Sequence, residues 1–233
     1  MVHLDRTYDT IHTTTVHKVR SRRTHLIRDP YQNNRLAELV EKTTGLQAGR
    51  KIVHAITGTV IFFAFTQLEL SKSLTVTGLS VLFLILLASD LARLRVPHLN
   101  ILFFRFFQIL VSPRESQNIA SSTWYILGAL IAIVLFPIST ALSGILVLAW
   151  ADPTASYLGR RWGRRAFLGG TLEGTTAFLV VAVLILSVRH PPAIAIPSAC
   201  LITLVERLAW PLDDNLILAP ACAGILTLLG LIV

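Results

Sequence analysis

The chain has 233 residues, of which 53% are hydrophobic and 15% charged, and its mean hydropathy is +0.65. A water-soluble globule of this size could not bury so much apolar side-chain surface, so the composition excludes an ordinary soluble domain and indicates a protein embedded in lipid. The formal net charge is +8, and ten of the 21 lysine and arginine residues precede Ile52.

Residues 1–47 form a basic arm, which we predict to be cytosolic and partly disordered. Its charge favours contact with an anionic membrane surface, and we expect no nucleic-acid partner. A solvated tail that only enforces topology is an equally simple interpretation. The arm lacks the apolar core of a secretory signal peptide. Residues 48–233 then form one membrane-embedded domain.

Seven apolar segments predict an all-α bundle of about seven transmembrane helices, because about 20 apolar residues cross a hydrocarbon core of about 30 Å. The predicted spans are 52–69, 74–89, 119–137, 138–158, 171–188, 193–210 and 215–233. The segment LNILFFRFFQILV (99–111) is shorter and has Arg105 at its centre. It therefore predicts an amphipathic helix at the membrane interface.

The distribution of charged loops predicts the topology of these spans. The positive-inside rule places the arm and the loops with DLARLRVPH, SPRESQN, GRRWGRR and WPLDD in the cytosol. The charged or titratable groups left for the other side are Glu69, Lys72, Arg189 and His190. With seven crossings the N-terminus is cytosolic and the C-terminus faces the lumen.

Acidic residues cluster near the predicted cytosolic helix ends. Ionisable groups at membrane depth cost free energy, so they face a protein interior or a wet cavity. Snorkelling to the headgroups would explain any one of them, but it explains the whole set less well. The six residues are Asp90, Asp152, Glu173, Glu206, Asp213 and Asp214.

Asp152 lies inside a predicted span rather than beyond its end. At 1.5 Å per residue it is about 21 Å along a helix that begins at Ile138. The next residue, Pro153, cannot donate a backbone hydrogen bond and crowds the carbonyl of Ala149, so we expect the helix to kink or break there. Broken helices at membrane depth line cavities or sites.

Two glycines and four arginines follow Asp152. Glycine lets phosphate approach the backbone and guanidinium groups bind its oxygens, while a carboxylate suits the divalent cation that phosphate chemistry usually needs. Close helix packing is the alternative for small residues at four-residue spacing. The residues are Gly159, Gly163, Arg160, Arg161, Arg164 and Arg165.

Three other stretches carry candidate site residues. Arg50 and Lys51 precede the first span, with His54 one helical turn beyond as a secondary candidate base. GTLEGTTAF (170–178) places Glu173 at a helix start, where free N–H groups favour anions. PLDDN (211–215) supplies adjacent carboxylates and an amide, although this pattern alone is mostly an N-cap signal.

The motifs ADPTASYLGRRWGRR (151–165), TLEGTTAF (171–178) and DDNLILAP (213–220) resemble the signature of the CTP-dependent lipid kinases. That set includes dolichol, phytol and diacylglycerol kinases and is related to the phosphatidate cytidylyltransferases. The resemblance covers about residues 48–233. AGRKIVHAITG (48–58), LASDLARLRVPHLN (87–100) and SPRESQN (112–118) look most like the diacylglycerol kinase branch. One position departs from the pattern, since Ala151 stands where the family usually has glycine.

The resemblance implies transfer of the CTP γ-phosphoryl to diacylglycerol at the cytosolic face of the endoplasmic reticulum membrane or nuclear envelope. Mg²⁺ or another divalent cation such as Ca²⁺ is implied. The candidate catalytic residues are Arg50, Lys51, Asp152 and Glu173, with Glu173 orienting the hydroxyl or accepting its proton. The candidate CTP-binding residues are Arg50, Lys51, Ser156, Gly159, Arg160, Arg161, Gly163, Arg164, Thr171 and Asn215. The candidate metal ligands are Asp152 and Asp214.

Three alternatives stay open at the level of sequence. A phosphatidate cytidylyltransferase would use the α-phosphate of CTP, and a polyprenol or phytol kinase would use another lipid alcohol. A membrane transporter is the remote alternative, because broken helices and membrane-depth carboxylates also occur there.

Overall fold

A computed structural model describes residues 30–43, 48–208 and 212–232, and these ranges are almost entirely helical. The helices are α1 (Pro30–Lys42), α2 (Ala48–Thr66), α3 (Lys72–Arg95), α4 (Pro97–Phe106), α5 (Ser121–Leu135), α6 (Ile138–Trp162), α7 (Leu172–Arg189), α8 (Pro192–Arg207) and α9 (Asp214–Ile232). A 3₁₀ turn covers Pro113–Ser116, and strands β1 (Ala166–Phe167) and β2 (Gly170–Thr171) pair between α6 and α7. The predicted all-helical architecture is confirmed.

Each predicted span overlaps one helix, and the predicted interfacial segment overlaps α4. Within the described ranges, four helices are long and apolar enough to cross a membrane, namely α3, α6, α7 and α9, while α5 is a shorter apolar helix. A membrane helix bundle is therefore supported. The count of seven spans stays a prediction.

Helix α6 lies at the centre of the bundle, in contact with α2, α5, α7 and α9. Its apolar side chains, such as Ile145 and Leu148, are fully buried. Neighbouring helices approach closely because small residues face them. A Cβ on Gly144 would lie 2.4 Å from the carbonyl oxygen of Ala219 in α9. Backbone contact of this kind is typical of helices packed in membranes.

The helix does not break at Pro153, so the expected break was wrong. A single α-helix runs from Ile138 to Trp162. Pro153 is buried among neighbouring helices, and Thr154 Oγ1 donates a hydrogen bond of 2.6 Å to the carbonyl of Trp150. Packing and side-chain hydrogen bonds of this kind allow proline inside membrane helices.

A tight hairpin links the end of α6 to the start of α7. Its two turn residues, Leu168 and Gly169, have φ angles of 40° and 75°, as a two-residue hairpin turn requires. Thr171 then caps α7 by accepting a 3.2 Å hydrogen bond from the backbone N–H of Gly174. The hairpin brings β2 back against the last turns of α6.

Of the predicted N-terminal arm, residues 30–43 are described, and residues 1–29 and 44–47 lie outside the described ranges. Helix α1 packs against α4 and the 3₁₀ turn. The two motifs that carried the resemblance in this region, within 87–100 and 112–118, therefore lie side by side.

Substituting Gly144 with alanine should lower the free energy of unfolding by about 1–3 kcal/mol, because the new methyl group would press on a backbone atom of α9 that cannot rotate away. The control is Gly78→Ala in α3, where the added Cβ would meet nothing within 4 Å. The measurement is the thermal midpoint of both variants in detergent. Equal midpoints would contradict the close contact between α6 and α9.

Candidate active site

One end of the bundle contains a polar cavity of about 550 Å³. Helices α2, α6, α7, α8 and α9, the 3₁₀ turn and the hairpin all contribute to its wall. The charged residues that line it are Arg50, Arg114, Arg160, Arg207, Asp152, Glu206, Asp213 and Asp214. Three of the stretches that the sequence assigned to one side of the membrane, namely 112–118, 159–165 and 210–214, thus contribute residues to a single cavity.

Most of the predicted site residues meet at this cavity. Those lining it are Arg50, Asp152, Ser156, Gly159, Arg160, Thr171, Asp214 and Asn215. Those outside its lining are Lys51, Arg161, Gly163, Arg164 and Glu173. The glycines and arginines that follow Asp152 thus divide, with Arg160 facing the cavity and Arg161 exposed elsewhere on the end of α6.

Asp152 lies where opposite charges converge. Asp214 and Asp213 interact with its carboxylate unfavourably, and Arg50 and Lys51 interact with it favourably. The charge of a carboxylate held beside two others is stabilised by cations, either from the protein or from a ligand. The aspartate faces the interior of the bundle rather than the surrounding lipid.

Two buried polar atoms near the cavity are without hydrogen-bond partners among the described residues, namely Lys51 Nζ and Asn215 Oδ1. Lys51 lies in a neighbouring groove between α2 and α6, with its Nζ 5.7 Å from the centre of the Tyr157 ring. Asn215 lines the cavity, where its Nδ2 donates a 2.6 Å hydrogen bond to Asp213 Oδ1. Buried polar groups left unpaired are costly, and a bound ligand is one reason for keeping them.

Gly159 and Gly163 face α7 and the hairpin closely. A Cβ on Gly159 would lie 2.8 Å from Thr171 Oγ1, and one on Gly163 would lie 2.5 Å from Thr171 Cγ2. Gly174 in α7 is equally close, since its Cβ would lie 2.9 Å from the carbonyl oxygen of Ala155. These contacts support the packing interpretation of the glycines, and Gly159 also borders the cavity.

Glu173 lies on the other side of this packed junction. Its Oε2 accepts a hydrogen bond of 3.4 Å from the backbone N–H of Arg165, and it borders an apolar groove that Leu158 and Val180 also line. His54 is buried at 6% exposure, and the Tyr125 hydroxyl donates to its backbone carbonyl at 3.2 Å. Neither side chain lines the cavity that holds Asp152.

Sequence reasoning missed two arginines of this cavity, Arg114 and Arg207. Arg207 ends α8 and pairs with the adjacent Glu206. Arg114 lies in the 3₁₀ turn, within the motif 112–118 that carried part of the resemblance. The available signal was their position at the same predicted membrane face as Asp152, but no pattern within either stretch indicated that the side chains reach the cavity.

The donor set fits a divalent cation that is shared with a phosphate ligand. In the described part of the chain, no group of three or more acidic, histidine or cysteine side chains could hold a metal by itself. Mg²⁺ is usually held by one or two carboxylates, with phosphate oxygens and water completing its coordination. Asp152, Asp214 and the unpaired Oδ1 of Asn215 supply that smaller set.

Glu115 lies in the 3₁₀ turn beside the cavity and is buried at 4% exposure. Its Oε1 accepts a hydrogen bond of 3.3 Å from the Ser121 backbone N–H and lies 3.9 Å from Arg50 Nη1. Burial raises the pKa of the Glu115 carboxyl, while Arg50, Ser121 and Arg93 oppose the rise. Arg50 is therefore held toward the 3₁₀ turn.

Three fungal proteins named CTP-dependent diacylglycerol kinase 1 match this chain. The Saccharomyces cerevisiae protein is 28% identical over 138 residues, which cover 58% of this chain and 47% of that protein. The Schizosaccharomyces pombe protein is 27% identical over 161 residues, covering 60% and 74%. The Eremothecium gossypii protein is 32% identical over 105 residues, covering 44% and 33%.

These matches confirm the resemblance to the CTP-dependent diacylglycerol kinases that the motifs indicated. The chain spans about half the length of the Saccharomyces cerevisiae relative. No protein-family model matches the chain. No solved structure matches it either.

Glu115→Gln should remove a fall in stability that wild-type protein shows as the pH rises. Because the folded pKa is raised above its ordinary value of 4.5, the native state binds more protons than the unfolded state just above that pH. Stability is then greatest below about pH 4.5 and decreases as the pH rises through the folded pKa.

The measurement is the thermal midpoint in detergent between about pH 4 and pH 8, a range that brackets ordinary carboxyl titration. Glu38→Gln is the matched control, since Glu38 lies on the exposed surface of α1. A pH profile that Glu115→Gln leaves unaltered would contradict the role of burial at this carboxyl.

Proposed function

We propose that this chain, which resembles the CTP-dependent diacylglycerol kinases, transfers the γ-phosphoryl group of CTP to the hydroxyl of diacylglycerol. The products are CDP and phosphatidate. The observation that carries this proposal is the cavity in which Asp152 and Asp214 lie among four arginines, at the end of a bundle that is otherwise apolar. The matched relatives, by their names, act on the same two substrates.

The donor nucleotide would occupy the cavity that Asp152 lines. Its phosphate oxygens would contact Arg50, Arg160 and the neighbouring arginines, because guanidinium groups form strong charge-assisted bonds to phosphate. A bound Mg²⁺, held by Asp152 and Asp214 with Asn215, would neutralise charge on the phosphates. The choice of CTP as the donor nucleotide rests on the resemblance to the CTP-dependent kinases.

The acceptor lipid would approach from an adjoining cavity of about 400 Å³. Its apolar wall includes Leu91, Leu94 and Trp124. Arg50, Ser112, Arg114 and Asp213 line both cavities, so the two spaces share a polar boundary. A lipid with one hydroxyl group could place acyl chains against the leucines and its hydroxyl at this boundary.

The chemical step forms a bond between the lipid oxygen and Pγ and breaks the bond between Pγ and the β–γ bridging oxygen. The lipid hydroxyl proton passes to a carboxylate of the site and then to water. Glu173 stays a proposed base, although its groove lies apart from the cavity, whereas Asp152 lines the donor cavity and Asp213 lines both cavities. Fixed cations would stabilise the charge that moves toward CDP.

We further propose that the site opens to the cytosol in the endoplasmic reticulum membrane or nuclear envelope, with a cytosolic N-terminus and a lumenal C-terminus. The alternation of helices supports this topology, because α8 ends at the polar cavity and α3 ends at the adjoining one, while α7 and α9 begin at the polar cavity. The basic arm would contact anionic lipid at the same face.

The decisive experiment offers purified protein CTP labelled on the γ-phosphate, with diacylglycerol in mixed micelles. Label in phosphatidate is the expected result. Label in pyrophosphate with phosphatidate as acceptor would indicate a cytidylyltransferase, and transfer only to dolichol or phytol would indicate another lipid alcohol kinase. Absence of turnover with every lipid would favour a transporter.

Asp152→Asn should lower kcat by about 100-fold or more while leaving the protein folded, because the amide keeps the shape of the side chain but loses the charge that faces phosphate and metal. The assay is γ-label transfer at saturating CTP, with elution volume and thermal midpoint as folding checks. A folded variant that turns over at the wild-type rate would exclude a metal role for Asp152.

Arg160→Gln should raise the KM for CTP about tenfold, because a charge-assisted contact to phosphate is lost. Arg161→Gln should have a smaller effect, since Arg161 lies outside the cavity. Steady-state kinetics with each substrate varied in turn measure both variants. A larger effect of Arg161→Gln would show that the donor binds elsewhere on α6.

A further inference from the structure

We infer that Arg114 binds the phosphates of the donor nucleotide and that the buried Asp90–Arg93 pair positions it. This inference rests on the proposed phosphoryl transfer for the identity of the donor. It adds one binding residue and one positioning pair to the site.

The segment that carries Arg114 is fixed by side chains from α3 and α4. Arg93 Nη1 donates hydrogen bonds of 2.6 Å to the carbonyl of Glu115 and 3.0 Å to Asn100 Oδ1, and its Nη2 donates one of 2.8 Å to the carbonyl of Asn118. Asn100 Nδ2 donates in turn to the carbonyl of Ser116 at 2.9 Å. Three carbonyl groups of one short segment are thus held by two buried side chains.

Asp90 completes this buried network on the other side of Arg93. Its Oδ1 accepts a 2.6 Å hydrogen bond from Arg93 Nε, and its Oδ2 accepts bonds from the Ala120 backbone N–H at 3.0 Å and from Thr123 Oγ1 at 2.6 Å. Asp90 and Arg93 are each 3% exposed. The guanidinium carbon of Arg93 lies over the Phe103 ring, 4.2 Å from its centre.

A buried ion pair is poor evidence for added stability, because desolvation offsets the attraction between its charges. The hydrogen bonds of this pair are directed at backbone carbonyl and amide groups within the 3₁₀ turn and in the residues that follow it. Its structural effect is therefore to define the position of that turn. The side chain whose position matters most at the cavity is Arg114.

Arg114 faces the cavity with its guanidinium available. In the described ranges, no hydrogen bond and no ion pair within 4.0 Å engages that guanidinium, yet it is close enough to Asp214 to interact with it electrostatically. Arg207, by contrast, is paired with Glu206. Arg114 also lines both the donor cavity and the adjoining acceptor cavity.

A triphosphate brings several negative charges to a cavity that already contains four carboxylates. An arginine that gives up no existing ion pair can bind these charges at the smallest cost. The location of Arg114 at the boundary between the cavities matches the terminal phosphate, which must face the acceptor.

The first test compares Arg114→Gln with Arg95→Gln. Arg95 is exposed at the end of α3 and is outside both cavities. Arg114→Gln should raise the KM for CTP about tenfold and leave the KM for diacylglycerol within about twofold, whereas Arg95→Gln should change neither. Arg114→Lys should restore part of the CTP affinity, because it restores the charge without the bidentate geometry. An unchanged KM for CTP in Arg114→Gln would overturn the inference.

The second test examines positioning. Asn100→Ala removes the bond to the Ser116 carbonyl and the acceptor of one Arg93 hydrogen bond, but it leaves the Asp90–Arg93 ion pair intact, so the variant should fold. It should raise the KM for CTP several-fold and leave kcat at saturating CTP nearly unchanged. A merely structural role would instead lower the thermal midpoint without changing the KM for CTP, and that outcome would remove the positioning claim.

Direct binding separates this inference from the proposed function. Tripolyphosphate and CTP, each with Mg²⁺, should raise the thermal midpoint of wild-type protein and of Arg95→Gln more than that of Arg114→Gln. If wild-type protein shows this pattern but phosphorylates no lipid, the phosphate site stands and the kinase proposal fails. If neither ligand stabilises the wild-type protein, the role of Arg114 is overturned as well.

Discussion

Charged side chains inside an apolar helix bundle need either water or complete hydrogen bonding, and both solutions occur in this protein. Asp152 and Asp214 share a cavity with arginines, where water or a ligand can reach them. Asp90 and Arg93 are removed from water and saturated with hydrogen bonds instead. The two arrangements meet at the 3₁₀ turn. Arg93 donates a hydrogen bond to this turn, and the turn also forms part of the wall of the cavity that contains Asp152. The location of the candidate site follows from this arrangement.

Close packing around α6 determines how that cavity is shaped. Gly144 brings α9 against the first half of α6, and Gly159 and Gly163 bring the hairpin and α7 against its last turns. Asp152 is thereby held between α2 and α9, whose first residues carry the other charges. The glycines of the Gly-Arg motif thus contribute to the site through helix contact. Gly163 itself does not line the cavity.

The sequence was sufficient for the all-helical architecture, and it named residues that the structure brings together at one cavity. Apolar runs predicted a helix at every span, and the acidic residues near one membrane face predicted the convergence seen at Asp152 and Asp214. The sequence was insufficient where contacts between helices determine whether a helix continues and which side chains reach the cavity. Pro153 carries a strong local signal for a break, yet packing on several sides keeps α6 continuous. Arg160 and Arg161 are adjacent and look equivalent in the sequence. Successive residues of a helix point in different directions, so Arg160 lines the cavity and Arg161 does not.

For the proposed substrates, which differ in solubility, the position of Asp152 in the cavity would have a chemical consequence. A nucleotide triphosphate cannot enter the hydrocarbon, and an acyl lipid cannot leave it, so their reacting atoms must meet at a boundary. The proposed donor cavity and the adjoining acceptor cavity share Arg50, Arg114 and Asp213 at such a boundary. Cations placed there can attract phosphate from water without exposing the acyl chains to it. A site built on α6 alone would lack this property, because the shared wall comes from α2, the 3₁₀ turn and the segment before α9.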